Sequence, residues 1–251
     1  YSLLLLEGTH LLEEALSTNY LPKEIFATPS WLEKYSDIVD SLSEEIKIYQ
    51  LTDSILGSAL TTVNPDGVAY LFPIAGLPLP PKSPEFVLAL DRLQDPGNLG
   101  SLFRTGLAAD LDVIWISSGV HPLNPKVIRA SSGSLLRLPY ERFGKTEVDG
   151  IELLVKKLIS AHQKGFQVIS SSVPRKDISK KVVPYWEIEW SKPSVLVLGN
   201  EGSGVHQEIQ NCCTHFVTLP HNPIVESLNV AAASVPMLLE RRRAKMVSDI
   251  H

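Results

Sequence analysis

The sequence predicts an α/β protein: a mostly parallel sheet with helices on both faces, preceded by a smaller α/β domain. Three observations lead there. Phe86–Leu90, Asp112–Ser117, Gln167–Ser170, Val195–Leu198 and Phe216–Leu219 are apolar, partly β-branched runs, as strands buried on both faces of a parallel sheet must be. Between them lie stretches of helical character near Leu99–Ala109, Pro125–Ser132, Ile151–Lys164 and Gln207–Cys212, and a last one over Glu226–Ala244, the alternation that builds a doubly wound sheet. Finally, Pro73-Ile-Ala-Gly-Leu-Pro-Leu-Pro-Pro-Lys-Ser-Pro84 carries five prolines and a glycine. Such a segment continues neither a helix nor a central strand and serves as a stiff linker. The domains are therefore expected at 1–74 and 85–251, with a linker over 75–84.

Within the first domain, Ser2–Leu6 reads as a strand. Thr9 is expected to cap a helix in which Leu11, Leu12, Ala15 and Leu16 follow helical spacing. Glu24–Ala27 and Ile46–Gln50 read as short strands, with helical pieces around Trp31–Tyr35 and Asp53–Ser58. Asn64-Pro-Asp-Gly67 signals a turn into a strand over Val68–Phe72. No catalytic constellation is evident in this domain; capping and surface roles explain Glu7 and His10. In the second domain, Pro236 is expected to kink the last helix.

At 251 residues the chain is long enough for one or two domains, and 44% hydrophobic with 20% charged residues is ordinary for a folded soluble protein. No apolar run approaches the roughly 20 residues of a membrane span, and Leu3–Leu6 is too short for a signal peptide. Cytosol is the expected compartment, or an organelle if a leader precedes Tyr1. Cys212 and Cys213, the only cysteines, are adjacent and suggest neither a disulfide framework nor a metal site. A net charge of −5 argues against indiscriminate coating of nucleic acid but allows a local basic face. Arg129, Arg137 and Arg142, and Arg175, Lys176, Lys180 and Lys181, are runs that fit either solvated surface or RNA contact. Arg241–Arg243 fit a solvated helix C-terminus.

Three polar segments sit where strands are expected to end. In Asp95-Pro-Gly-Asn-Leu-Gly-Ser-Leu-Phe-Arg104, Pro96 and Gly97 turn the chain, Asn98 is expected to cap the helix, and Gly100 permits close approach to its first turn. The fork of Arg104 suits phosphate or carboxylate. In Gly199-Asn-Glu-Gly-Ser-Gly204 a buried strand opens into three glycines around one carboxylate, a backbone cradle for a nucleotide-like ligand. It lacks both the Walker lysine and the dinucleotide fingerprint. In Leu219-Pro-His-Asn-Pro-Ile-Val-Glu-Ser-Leu-Asn229, two prolines stiffen a loop, and Glu226–Asn229 are expected to open the final helix. Capping accounts for Ser227 there but leaves Asn229 without a packing reason. In an open α/β sheet such loops converge at the carboxyl ends of the strands.

In order, these segments resemble the SpoU family of RNA 2′-O-ribose methyltransferases, in the SPOUT superfamily. The resemblance runs from about Phe86 to Glu240 and includes the connecting segment Ile128-Arg-Ala-Ser-Ser-Gly-Ser134. The first domain resembles the L30e-like substrate-binding domain of that family through Glu7-Gly8 and Pro65-Asp-Gly67. The resemblance implies a C-terminal trefoil knot, a homodimer through the knotted domain with the active site shared across its interface, and structured RNA (rRNA or tRNA) as substrate. It implies S-adenosyl-L-methionine as cofactor, held by Gly199, Asn200, Glu201, Gly202, Leu219, Pro220, Ser227 and Leu228, and no metal or membrane. Arg104 would assist removal of the ribose hydroxyl proton, while Asn98, Glu201, Ser227 and Asn229 organise the site. A guanidinium with a pKa above roughly 12 is a poor general base, so stabilisation of charge, or action through an RNA phosphate, suits Arg104 better.

Four positions depart from the family pattern: Asp110, His221, Asn222 and Pro236. Two other readings remain: an RNA-binding or ribosome-assembly factor of the same fold without catalysis, and base methylation. The intact Asn98, Arg104, Glu201, Ser227 and Asn229 favour catalysis over the first. The Ser-Leu-Asn helix start favours ribose over base.

Overall fold

The structure is a computed structural model and describes residues 2–18, 21–171, 181–222 and 224–248. Arg175, Lys176 and Lys180 of the middle basic run, and Pro223 of the third polar segment, lie outside the described residues. The chain divides into two compact units, Tyr1–Pro78 with Leu135–Arg137, and Leu79–Ser134 with Leu138–His251.

The first unit contains β1 (Leu3–Glu7), α1 (Thr9–Ser17), β2 (Glu24–Ala27), α2 (Pro29–Lys34), α3 (Ser36–Asp40), β3 (Lys47–Gln50), α4 (Asp53–Ala59) and β4 (Val68–Pro73). Its sheet order is β1-β4-β2-β3, with β4 antiparallel to both neighbours and β2 parallel to β3. Val68, Ala69, Tyr70 and Phe72 are buried, so this central strand carries much of the unit's core. Thr9 does not cap α1 as expected. Gly8 occupies the N-cap at φ 102 and has no side chain to offer. The carboxylate of Asp66, in the expected turn, instead accepts the Thr9 N–H and hydroxyl at 2.8 Å each. Trp31 Nε1 donates to the same hydroxyl at 2.8 Å. Glu7 accepts hydrogen bonds from Thr61 and Thr62. Burial pushes its carboxyl up, but these bonds outweigh it and hold the group below the usual range.

The second unit contains β5 (Phe86–Leu90), α5 (Pro96–Ala108), β6 (Val113–Ile116), α6 (Pro125–Ser131), β7 (Tyr140–Arg142), α7 (Glu147–Gln163), β8 (Gln167–Ser171), β9 (Val182–Pro184), β10 (Ser194–Leu198), α8 (Gln207–Asn211), β11 (His215–Thr218) and α9 (Val230–Ser248). The sheet order is β7-β6-β5-β10-β8-β11-β9, with every pair parallel. β5 and β10 are buried throughout, as their uninterrupted apolar runs require. Val87, Ala89, Val113, Trp115, Val195 and Val197 pack with Ile151, Leu154 and Leu158 of α7 and Ile209 of α8. The alternate strand residues turn to the opposite face, where α5 packs with α6 and α9. β7 and β9 were not expected. Both are three-residue strands at the sheet edges, too short to register as a strand-length run, and β7 is polar as well.

The chain lays β5, β6 and β7 outward in one direction, then places its remaining strands on the other side of β5. Strand order therefore reverses between β5 and β10, a switch point at which the loops leaving the strands' carboxyl ends open a crevice.

Two expectations about the last helix are corrected. It begins at Val230, not Glu226, and continues through Pro236 to Ser248. The three arginines are not simply solvated. At about 100° per residue, three consecutive side chains sweep most of a helix's circumference, so one of them must face inward. Arg241 is 3% exposed, with its guanidinium 5.5 Å from the centre of the Phe86 ring. Burial lowers its pKa, and Glu85 and Asp112 act in the opposite direction. Arg242 pairs with Asp110, and Arg243 with Glu240. Asp110, at φ 56, thus serves as an anchor for α9.

Gly100 lets α5 approach α6 closely: an added Cβ would lie 2.4 Å from Ala130 Cβ and 2.7 Å from the Val127 carbonyl oxygen. Gly100→Ala should therefore destabilise the protein by about 1–3 kcal/mol through overpacking, read as a lower urea midpoint with an unchanged m-value.

Candidate active site

The site is built on one buried carboxylate. Asp91, at the end of β5, has no exposed surface. It accepts the His206 N–H at 2.7 Å, the Ser117 hydroxyl at 3.3 Å, and Arg92 Nε and Nη2 at 3.0 and 3.1 Å. Arg92, held at φ 56, also donates to the Gly204 carbonyl at 3.3 Å. The hydrogen bond to Asp91 raises the Arg92 pKa against the opposing effect of burial. These contacts fasten the loop after β10 to the loop after β5. The sequence reading missed Asp91, although an acidic residue directly behind an apolar strand was a visible signal.

The loop after β10 is shaped from within. Asn200 and Gly204 exchange backbone hydrogen bonds at 3.0 and 2.9 Å. Asn200 Oδ1 accepts the N–H groups of Gly202 and Ser203 at 2.9 and 3.0 Å, and Nδ2 donates to the Arg92 carbonyl at 2.9 Å. Gly199 leaves no room for a side chain, since an added Cβ would sit 2.2 Å from Gly204 C and Val205 N. The side chain of Asn200 is thus committed to the loop itself.

Glu201 projects from this loop and joins the three polar segments. It accepts the N–H groups of Gln94 and Asp95 at 3.4 and 3.3 Å, and Asn98 Nδ2 at 3.1 Å. Asn98 Oδ1 in turn accepts Asn229 Nδ2 at 2.8 Å. Both asparagines correct the sequence reading. Asp95, not Asn98, caps α5 by accepting the Asn98 N–H at 2.7 Å, which leaves the Asn98 amide free to bridge. Asn229 is not inside α9 but caps it: its side chain accepts the Ala232 N–H at 3.1 Å and its carbonyl the Ala233 N–H at 2.8 Å. That is the reason the sequence alone did not supply. Glu226, Ser227 and Leu228 precede the helix as irregular chain.

A cavity of about 800 Å³ opens beside this network. Of the residues expected around a cofactor, Gly199, Asn200, Glu201, Gly202, Leu219, Ser227 and Leu228 line it, as does Asn229, whereas Pro220 does not. Ser171 and Thr218, at the ends of β8 and β11, also line it; neither stands in a motif that would have marked it. The remaining expected residue, Arg104, is exposed and has no hydrogen-bond or ion-pair partner among the described residues. Six positions along α5 turn it about 120° from Asn98, so it does not enter the Glu201–Asn98–Asn229 network.

Two departures from the family pattern act as loop staples. The ring nitrogens of His221 lie 2.7 Å from the Leu219 carbonyl and 3.1 Å from the Val225 carbonyl. Asn222 Oδ1 accepts the Ile224 N–H at 3.0 Å. Cys212 and Cys213 lie at the end of α8, where their thiols donate to the Glu208 and Ile209 carbonyls at 3.3 Å each. Among the described residues, no His, Cys, Asp and Glu side chains group as a metal site would require, and no helix is long and apolar enough to cross a membrane.

Residues 85–238 match the SpoU rRNA Methylase family, and residues 1–69 match the MRM3-like substrate binding domain. An uncharacterized tRNA/rRNA methyltransferase of Synechocystis is 37% identical over 98% of this chain and 86% of its own length. The 23S rRNA (guanosine(2553)-2'-O)-methyltransferase RlmP of Bacillus subtilis is 30% identical over 95% of this chain and 88% of its own. The fold is shared with the SpoU methyltransferase AviRb of Streptomyces viridochromogenes, whose structure is in complex with the cofactor AdoMet. The TM-score is 0.79, at 18% identity, over 98% of this chain and 91% of that one.

Asp91→Ala would take the buried carboxylate partner from the Arg92 guanidinium, 15% exposed, and the acceptor from the His206 N–H. Loss of one partner of a buried charge pair costs about 3–5 kcal/mol. Chemical denaturation should show a loss of that size.

Proposed function

The chain belongs to the SpoU rRNA methylase family and is an RNA methyltransferase, and on that premise we propose that it methylates a ribose 2′-hydroxyl of structured RNA, rRNA or tRNA. The observation that carries this reading is the hydrogen-bonded line Asn229–Asn98–Glu201 at the rim of the cavity. It draws together the three segments on which the family resemblance rests. The 2′-O activity named for the Bacillus subtilis relative supports ribose as the acceptor.

The cavity fits S-adenosylmethionine. Its volume of about 800 Å³ falls in the range of about 300–1,000 Å³ usual for small-molecule sites. An added Cβ at Gly202 would meet only Asn200 Oδ1 at 3.6 Å, and at Gly204 nothing within 4 Å, so this backbone is open to a ligand. Gly199, Asn200, Glu201, Gly202, Leu219, Ser227 and Leu228 would hold the cofactor, with Pro220 beside Leu219. Bound there, it supplies an electrophilic methyl group on sulfonium.

A ribose hydroxyl is a weak nucleophile, so the protein must align it and ease the loss of its proton. In this reading Ser227 and Asn229 orient the hydroxyl at the cavity. Asn98 fixes Asn229 by accepting from its amide nitrogen, and Glu201 holds Asn98 in turn. Arg104, always charged, stabilises the developing alkoxide or works through an RNA phosphate. Its distance from the network around α5 supports a homodimer through the second unit, with Arg104 completing a site shared with a second copy. The C-terminal trefoil knot belongs to the same proposal. So does the division into an RNA-holding domain over 1–74, a linker over 75–84 and a catalytic domain over 85–251.

Arg104→Ala should lower methyl transfer to RNA by at least about 100-fold and leave S-adenosylmethionine affinity, measured by calorimetry, within about twofold. Unchanged turnover would remove Arg104 from the mechanism. Mapping ribose methylation across rRNA and tRNA in cells with and without the gene should reveal the modified nucleotide. No altered site, together with no binding of S-adenosylmethionine by the purified protein, would overturn the reading.

A further inference from the structure

The carboxyl edge of the larger sheet carries a second group of polar side chains that methyl transfer, as described, does not use. Arg142 ends β7 and lies opposite Ile116 of β6; Ser118 and His121 follow in the loop that leaves β6. Among the described residues, the Ser118 hydroxyl is buried without a partner in a residue 6% exposed, and Arg142 Nε is likewise buried and unpartnered. His121 Nδ1 accepts the Leu123 N–H at 3.0 Å, which leaves Nε2 to carry the proton of the neutral ring and donate it. Burial and the nearby Arg142 charge both lower the His121 pKa.

Among the described residues, no carboxylate pairs with Arg142. Glu141, adjacent to Arg142, turns to the other face of the sheet and pairs with Lys157 at 2.8 Å. Glu147 lies 3.8 Å from Arg92. What remains among the described residues is a fixed positive charge with donors beside it and no paired anion. A guanidinium only donates, and a phosphodiester offers one negative charge on oxygens that only accept.

We propose that Ser118, His121 and Arg142 form a phosphate subsite that takes a backbone phosphate of the RNA substrate. The inference rests on RNA being the substrate, as read above. Its position suits that role. Gly119, at φ 98, pairs with Leu93, and the Val120 N–H donates to the Leu93 carbonyl at 2.8 Å. An added Cβ at Gly119 would lie 2.0 Å from that carbonyl oxygen. The subsite is therefore fastened to the loop whose Gln94 and Asp95 N–H groups hold Glu201. A phosphate seated at Arg142 sits in a fixed relation to the residues that would receive the ribose.

The test is binding of an in vitro transcribed tRNA to the full chain, without S-adenosylmethionine, by fluorescence anisotropy over a series of salt concentrations. Arg142→Met should weaken binding at least about threefold and reduce the slope of log K against log salt by about 0.7–0.9, the loss of one phosphate contact. Arg142→Lys should recover most of the slope. Ser118→Ala should weaken binding without changing the slope. Inorganic phosphate, at ionic strength matched with chloride, should compete with RNA on the wild type more than on Arg142→Met; equal competition would place the phosphate elsewhere and overturn the subsite. Unchanged affinity and slope in a folded Arg142→Met protein would also overturn it. If that variant does not fold, wild-type affinity in Ser118→Ala does the same. A wild type that binds RNA but transfers no methyl group would defeat the proposed reaction and leave the subsite to the salt slope. Methyl transfer with an unchanged slope in Arg142→Met would defeat the subsite alone.

Discussion

A carboxylate removed from water has to be satisfied by the chain around it, and Asp91 meets this demand by drawing on Arg92, Ser117 and His206. These donors come from the loops after β5, β6 and β10, which the carboxylate draws to one point. With the His206 N–H fixed on Asp91 and Arg92 on the Gly204 carbonyl, the glycine-rich loop has one place to lie. Glu201 is thereby aimed back across β5. The cavity and the line of polar side chains at its rim both follow from that anchorage. The left-handed backbone of Arg92 is tolerated because its guanidinium is bound on several sides.

Capping roles are redistributed so that the site residues remain available. Asp95 satisfies the first turn of α5, and this allows both ends of the Asn98 amide to bond outward, accepting from Asn229 and donating to Glu201. Asn229 does two jobs at once, with its oxygen on the α9 backbone and its nitrogen on Asn98. Stability and function are coupled there: the residue that starts the last helix is also tied to the active-site network. His221 and Asn222 hold the preceding loop by bonds within the loop itself, which explains how residues unusual for the family are accommodated without disturbing the polar core of the site.

Net charge says little about where this protein meets RNA. The chain carries a charge of −5, yet Arg104 and Arg142 lack carboxylate partners among the described residues, while Arg241, Arg242 and Arg243 are engaged by Phe86, Asp110 and Glu240. The adjacent arginines of α9 thus serve the fold, while the basic residues without a carboxylate partner are scattered singly along the chain.

The sequence by itself determined the α/β class, the strands of the inner sheet and the three polar segments that meet through Asn98, Glu201 and Asn229. Strands covered on both faces must be continuous apolar runs, as Phe86–Leu90 and Ser194–Leu198 are, and polar residues set among them stand out. Gly100 was legible for the same kind of reason, since a helix contact that close admits no side chain. Only the tertiary structure decided which polar residue does which work. It set Asp66 rather than Thr9 and Asp95 rather than Asn98 as capping groups, started α9 at Val230, buried Arg241, and added the short edge strands β7 and β9. It joined Asn98, Glu201 and Asn229 and left Arg104 apart. Apolar burial is written locally, residue by residue, whereas a hydrogen bond needs a partner, and Asn98 and Asn229 lie 131 positions apart in the chain.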